Sequence, residues 1–166
     1  YVVFGTAHGG LSHLTEVRAG NGGYIIYGAA AGDMAGFAVA GGKDINGDGI
    51  DDVVIGAPYA NDLTSTYVQA GRVYVLFGRG DSNTTAIYLS EIASESDHSG
   101  YVLGGAGDYD VAGGFVSLAD VNGDGQLNVT DIVAAVNIIL GDGRTSDATS
   151  AKLIKTAEAV TLKADG

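Results

Sequence analysis

Several residue types are absent or scarce in this chain of 166 residues. It has no cysteine, which excludes disulfide bonds, thiolate zinc sites and catalysis by a thiol. The chain has only eight lysines and arginines but 20 acidic residues, which gives a formal net charge of −12. Nucleic acid is therefore excluded as a partner, because phosphate contacts need clustered cations. No apolar run approaches the ~20 residues that cross a bilayer, so we expect no membrane span.

Glycine and aspartate, by contrast, are abundant. The chain has 28 glycines, and 46 % of its residues are hydrophobic, so a packed core can be built. Aspartate outnumbers glutamate by 16 to 4, and seven of the aspartates lie within residues 44–52 and 120–131. Because aspartate favours turns and short-range ligation, this clustering indicates sites for a hard cation.

The sequence repeats itself with a period near 76 residues. Residues 1–5 (YVVFG) return as 74–78 (YVLFG), 23–29 (GYIIYGA) as 100–106 (GYVLGGA), and 44–49 (DINGDG) as 120–125 (DVNGDG). A fixed period of this size is typical of solenoids, propellers and arrays, whose units bury their faces by stacking on neighbours.

Short runs of β-branched and aromatic residues, bounded by glycine clusters, predict strands within each unit. These runs are residues 24–27, 37–40, 52–55 and 72–77. Several are apolar at consecutive positions, as in strands that are buried on both faces. Four such strands make one blade of a propeller. We therefore expect a mainly β fold of about two blade-like repeats that do not close within one chain.

The first aspartate-rich window, residues 44–52 (DINGDGIDD), has the spacing of a calcium loop. Oxygen donors stand at loop positions 1, 3, 5 and 9, and Gly49 at position 6 allows a sharp turn that brings the next carbonyl inward. The predicted ligands are the side chains of Asp44, Asn46, Asp48 and Asp52 and the carbonyl of Ile50.

The second window, residues 120–131 (DVNGDGQLNVTD), has the spacing of an EF-hand loop. The predicted ligands are the side chains of Asp120, Asn122, Asp124, Asn128 and Asp131 and the carbonyl of Gln126. Each window alone could be an ordinary Asn-Gly and Asp-Gly turn. Two copies at the same phase of the repeat favour metal, and we expect two Ca²⁺ sites rather than Mg²⁺, which prefers to retain water.

Residues 130–140 follow the second loop with apolar residues at helical spacing, which predicts a short helix. Thr130 is a candidate N-cap, and Gly141 suits the end of a helix. The alternative is another blade strand, in which residues 131–134 (DIVA) correspond to 52–55 (DVVI).

Two family resemblances follow from these motifs. Residues 36–58 (GFAVAGGKDINGDGIDDVVIGAP) resemble an FG-GAP repeat of the integrin α-chain propeller, and the likeness to its bacterial branch extends over residues 1–119. It implies that one blade binds Ca²⁺ through the first loop. Residues 120–141 resemble one half of a type I dockerin, a module that binds cohesins. Residues 142–166 would then form a C-terminal tail that could supply a pairing strand.

We expect the chain to be a non-enzymatic, calcium-binding structural or adhesive module that is secreted and lies outside the cell or on its surface. It would assemble with its own copies into a ring or filament, because its first and last units lack strands. The alternatives are an accessory segment of a larger secreted enzyme and a dockerin-type adaptor for a cohesin-like partner. Residues 79–82 (RGDS) match an integrin-recognition motif, and the nine tyrosines allow a carbohydrate partner besides a cell-surface protein.

Overall fold

A four-stranded antiparallel sheet forms the centre of the fold. The computed structural model describes residues 1–5, 13–79, 84–92 and 99–118. The four strands of this sheet lie side by side in the order in which they occur along the chain, and each is antiparallel to its neighbours in the sheet. Its strands are β4 (Ala38–Lys43), β5 (Asp52–Ala57), β6 (Arg72–Leu76) and β8 (Gly100–Gly104). This sheet confirms the predicted mainly β fold, and it has the four strands expected of one blade.

Alternating side chains of β6 enter two different hydrophobic cores, one on each face of the blade. Tyr74 and Leu76 pack into the first core with Ile55 of β5. Val73 and Val75 pack into the second core with Val54. The consecutive apolar residues in the sequence thus reflect burial on both faces.

A shorter strand pair precedes the blade and repeats its geometry. We call β1 (Val2–Val3) and β2 (Gly23–Tyr24) the leading pair. Val2 lies opposite Tyr24 in this pair, and in the blade Val75 lies opposite Tyr101. The sequence repeat places Val2 at the position of Val75 and Tyr24 at that of Tyr101. The leading pair is therefore the counterpart of β6 and β8 in the unit before the blade.

The remaining elements are short and link the two units. Strand β3 (Ile26–Tyr27) pairs in parallel with β7 (Ile87–Tyr88), and the rings of Tyr27 and Tyr88 stack with their centroids 5.0 Å apart. Helices α1 (Leu14–Arg18) and α2 (Leu89–Ile92) carry the related sequences LTEV and LSEI. Each buries its fourth residue, Val17 or Ile92. The sequence analysis did not predict these two helices, although the repeated tetrapeptide was a visible indication of them.

A strained turn occurs twice, once just before β4 and once at the corresponding position of the sequence repeat. Met34 and Gly36 have positive φ angles of 56° and 87°, and Val111 and Gly113 have 56° and 88°. Both turns carry the sequence Asp-x-Ala-Gly. The left-handed region costs a residue with a side chain roughly 1–2 kcal/mol, and only glycine enters it freely.

Met34→Gly should stabilise the protein, because glycine relieves the strain at φ 56° and the Met34 side chain is 53 % exposed, so little packing is lost. We expect a gain of about 0.5–1 kcal/mol in the free energy of unfolding, measured as a higher midpoint in urea. Met34→Ala is the control, because it shortens the side chain without relieving the backbone. A midpoint for Met34→Gly at or below that of Met34→Ala would contradict this explanation.

The predicted features of the C-terminal part lie outside the described residues. These are the second loop with Asp120, Asn122, Asp124, Gln126, Asn128 and Asp131, the helix over residues 130–140 and the tail 142–166. They stay predictions. Within the part of the chain that the structure describes, no helix is long and apolar enough to cross a membrane.

Candidate metal centre

The loop between β4 and β5 closes around the carboxylate of Asp44. The backbone N–H groups of Gly47 and Asp48 donate to its Oδ1 atom at 2.7 and 3.1 Å. That of Gly49 donates to Oδ2 at 2.7 Å. Gly49 has a φ angle of 89°, which confirms the sharp turn expected at this glycine. These three amides, Gly49 most of all, lower the pKa of Asp44 below its usual value and so favour the carboxylate.

Asn46 and Asp48 lie within the same turn and bond to each other. The Asn46 side-chain amide donates to Asp48 Oδ2 at 2.9 Å, and the backbone N–H of Asp48 donates to Asn46 Oδ1 at 2.9 Å. The backbone N–H of Ile50 donates to Asp48 Oδ1 at 2.8 Å. The structure therefore brings together the residues at loop positions 1, 3 and 5. Ligation by the Ile50 carbonyl stays a prediction.

Asp52, expected at loop position 9, has a second set of contacts that its spacing did not indicate. The residue is 0 % exposed and begins β5. Its Oδ2 atom accepts the backbone N–H of Ile45 at 2.7 Å, and its Oδ1 atom accepts that of Gly78 at 2.7 Å. Asp52 therefore ties the loop to Gly78, which follows β6 and lies 26 residues further along the chain.

The donor set of this loop suits Ca²⁺. Within the described residues, no group of three or more His, Cys, Asp or Glu side chains is placed to hold a metal ion. The loop instead combines the carboxylates of Asp44 and Asp48 with the amide oxygen of Asn46, and these are all hard oxygen donors of the kind that Ca²⁺ takes. Asp44 Oδ2 and both carboxylate oxygens of Asp48 each accept one hydrogen bond and keep a second lone pair for a cation, whereas Asp44 Oδ1 already accepts two. Asp44, Asn46 and Asp48 are the described side chains that could hold the ion. Asp52 is not grouped with them as a third acidic ligand, and ligation by Asp52 stays a prediction.

A second carboxylate organises the connection between β5 and β6, and the sequence analysis missed it. Asp62 is buried and accepts hydrogen bonds from the Thr64 hydroxyl, the Thr64 amide at 3.0 Å and the Tyr67 amide at 2.7 Å. The Thr64 hydroxyl is the main cause that lowers the pKa of Asp62. Aspartate followed two residues later by threonine is a common turn pattern, which was the available indication.

The lowered pKa values of Asp44 and Asp62 predict a stability that declines in acid. A carboxylate whose pKa is lower in the folded state stabilises the protein above its unfolded value of about 3.9, and this contribution is lost as the pH falls through the folded value. We expect a melting temperature that is steady from pH 7 to about 5 and then falls. In Asp62→Asn the fall should be shallower, whereas the control Asp51→Asn, at an exposed residue, should keep the wild-type profile. Identical acid profiles for Asp62→Asn and wild type would contradict this.

Arg79, the first residue of the RGDS motif, is engaged within the fold. Its guanidinium donates from Nη1 to the carbonyl of Thr85 at 3.0 Å and lies 5.4 Å from the centroid of the Tyr24 ring. An integrin partner would have to displace both contacts. Residues 80–83 lie outside the described residues, and adhesion through this motif stays a prediction.

Comparison with known families matches one part of the chain. Residues 35–76 match the family model of the FG-GAP repeat. No solved structure matches the chain. The matched segment contains β4, the Asp44 loop, β5 and β6. The comparison therefore supports an FG-GAP repeat over the part of the chain that holds the first loop and three of the four blade strands.

Proposed function

We propose that this chain is a non-enzymatic, calcium-binding structural module of FG-GAP blades that is secreted and acts outside the cell or on its surface. The observation that carries the proposal is the closure of the loop on Asp44, with Asn46 and Asp48 beside it, inside the segment that matches an FG-GAP repeat. The role of the second loop, at residues 120–131, rests on its spacing alone.

Ca²⁺ would act here as a structural ion. The window 44–52 contains four aspartates, and carboxylates in a small volume repel each other unless a cation lies among them. The ion would thus stabilise the connection between β4 and β5. Sites with dissociation constants of about 10⁻⁴–10⁻³ M are typical of extracellular calcium modules, which agrees with the proposed location.

Association with further copies is part of the same proposal. An apolar groove of about 360 Å³ opens between β1 and β4, and Tyr1, Val2, Val39 and Ile55 are among its lining residues. It continues the first hydrophobic core, and Val39 is 65 % exposed. Among the described strands β1 pairs with β2 alone, so its other edge can accept a strand from a second copy. Cell-surface proteins and carbohydrates stay predicted partners without a described site.

Calorimetric titration of the calcium-free chain tests the central claim. We expect two Ca²⁺ ions per chain and weaker binding of Mg²⁺, because Ca²⁺ accepts more protein oxygens. Asp44→Asn should remove one of the two ions, and Asp51→Asn, the control, should leave both. Absence of saturable binding at millimolar Ca²⁺ would overturn the proposal.

Association between copies is tested separately, by sedimentation of the chain at micromolar concentration. Val39→Asp places a charge in the apolar groove and is the variant expected to block association there.

A further inference from the structure

A continuous series of contacts leads from the Asp44 loop to the leading pair. It passes from Asp52 to Gly78, then to Arg79 in the next position, and from Arg79 to Tyr24 of β2. We propose that Ca²⁺ on this loop holds the leading pair against the blade, and that Arg79 is the positioning residue that makes this connection. The inference rests on the proposed function, because it concerns the same ion, but it adds what the ion does to the neighbouring unit.

The first step is the carboxylate of Asp52. It has no solvent exposure, and its two oxygens accept one amide from the loop, that of Ile45, and one from the segment after β6, that of Gly78. A buried carboxylate is costly unless its charge is compensated. A cation in the adjacent loop would supply that compensation, so Asp52 would hold the loop and β6 together most firmly when Ca²⁺ is bound.

The second step is the close approach of Gly78 to the loop. A Cβ atom at Gly78 would lie 2.3 Å from the carbonyl oxygen of Asp51 and 2.5 Å from Cγ2 of Ile50. Residue 78 therefore rests directly on the loop backbone. Gly5 is the corresponding residue after β1 in the sequence repeat, and a Cβ there would lie in open space. Because residue 78 lies against the loop backbone, a displaced loop would displace residues 78 and 79 with it.

The third step joins Arg79 to the leading pair. The hydrogen bond to Thr85 fixes the guanidinium, which then faces the Tyr24 ring. Tyr24 is buried, lies opposite Val2 in the leading pair and packs edge-on against Phe4 at 6.0 Å. A cation over a largely desolvated aromatic ring is attracted more strongly than one at an exposed site. Arg79 therefore holds the ring that joins both strands of the leading pair.

Amide hydrogen exchange tests this connection, with the Phe4 amide as reporter. That amide donates to the Gly22 carbonyl at 2.8 Å and so reports the integrity of the leading pair. In the wild-type chain, saturating Ca²⁺ should slow its exchange about tenfold relative to chelator. In Arg79→Met this calcium effect should fall below about threefold, while the calorimetric affinity for Ca²⁺ stays within about threefold of wild type. Arg79→Lys, which keeps a cation near the ring, should retain most of the effect.

The control is Arg18→Met, which removes a cation from the last turn of α1 and should leave the calcium effect on Phe4 unchanged. If Ca²⁺ binds by calorimetry and the wild-type Phe4 amide does not respond, the inference is overturned and the proposed function stands. An undiminished calcium effect in Arg79→Met also overturns it. If no Ca²⁺ binds at all, the proposed function fails, and this inference fails with it.

Discussion

Asp44→Ala should remove much of the stabilisation that Ca²⁺ gives to the protein. At a hundredfold excess over the dissociation constant, one site that forms only in the folded state adds ~2.7 kcal/mol to the free energy of unfolding. For a chain of this length that corresponds to a melting temperature about 5–10 °C higher in Ca²⁺ than in chelator. Asp44→Ala should lose the stabilisation that Ca²⁺ gives at the first loop, because Asp44 is the carboxylate on which that loop closes.

The readout is the difference between melting temperatures in Ca²⁺ and in chelator, measured for each variant. Asp44→Ala also loses three hydrogen bonds from backbone amides and should melt lower in both buffers, so neither temperature alone is informative. Asp51→Ala, which changes an exposed residue of the same window, should keep the full difference. A wild-type chain that melts equally with and without chelator would refute the calcium site.

Gly78→Ala should destabilise the protein by about 2–3 kcal/mol, because its new methyl group would overlap the Asp51 carbonyl oxygen and the Ile50 side chain. The nearer atom belongs to the backbone and cannot rotate away. The loop or the end of β6 must therefore shift, which strains the hydrogen bonds of Asp52. Chemical denaturation monitored by circular dichroism measures the change.

The repeat supplies a matched control for this substitution. Gly5 occupies the corresponding position after β1, and an added Cβ there meets no atom within 4 Å. Gly5→Ala should change the free energy of unfolding by less than about 0.5 kcal/mol. Equal midpoints for the two variants would show that the close approach at Gly78 is not what requires glycine there.

The main strands were predictable from the sequence because the residue pattern that indicates each of them lies within the strand itself and the turns beside it. The segments that became β5 and β6 are β-branched runs between glycine-rich turns, whereas β4 has a single β-branched residue, Val39. The likeness of residues 100–106 to residues 23–29, which include the predicted strand 24–27, was the indication of β8. The parallel pairing of β3 with β7 was not predictable, because each contributes only two residues and the contact joins segments about 60 positions apart. Elements this short carry no periodicity from which a partner could be inferred.

The candidate site was predictable in part, and for a similar reason. The grouping of Asp44, Asn46 and Asp48 follows from local spacing and from glycines that permit the turn. The burial of Asp52 and its bond to Gly78 depend on the return of the chain along β6, which spacing within the loop does not reveal. The presence of a glycine at position 78 likewise did not indicate, from the sequence alone, that its backbone lies against the loop.

The strand order β4-β5-β6-β8 has a consequence for how the chain folds. Each strand pairs with the blade strand that comes before it along the chain, so the blade can form by adding one strand at a time. The connection from Leu76 to Gly100 is the longest within the sheet. Docking of β8 therefore carries the largest loop-closure entropy of the pairings within the blade, and we expect it to follow the pairing of β4, β5 and β6.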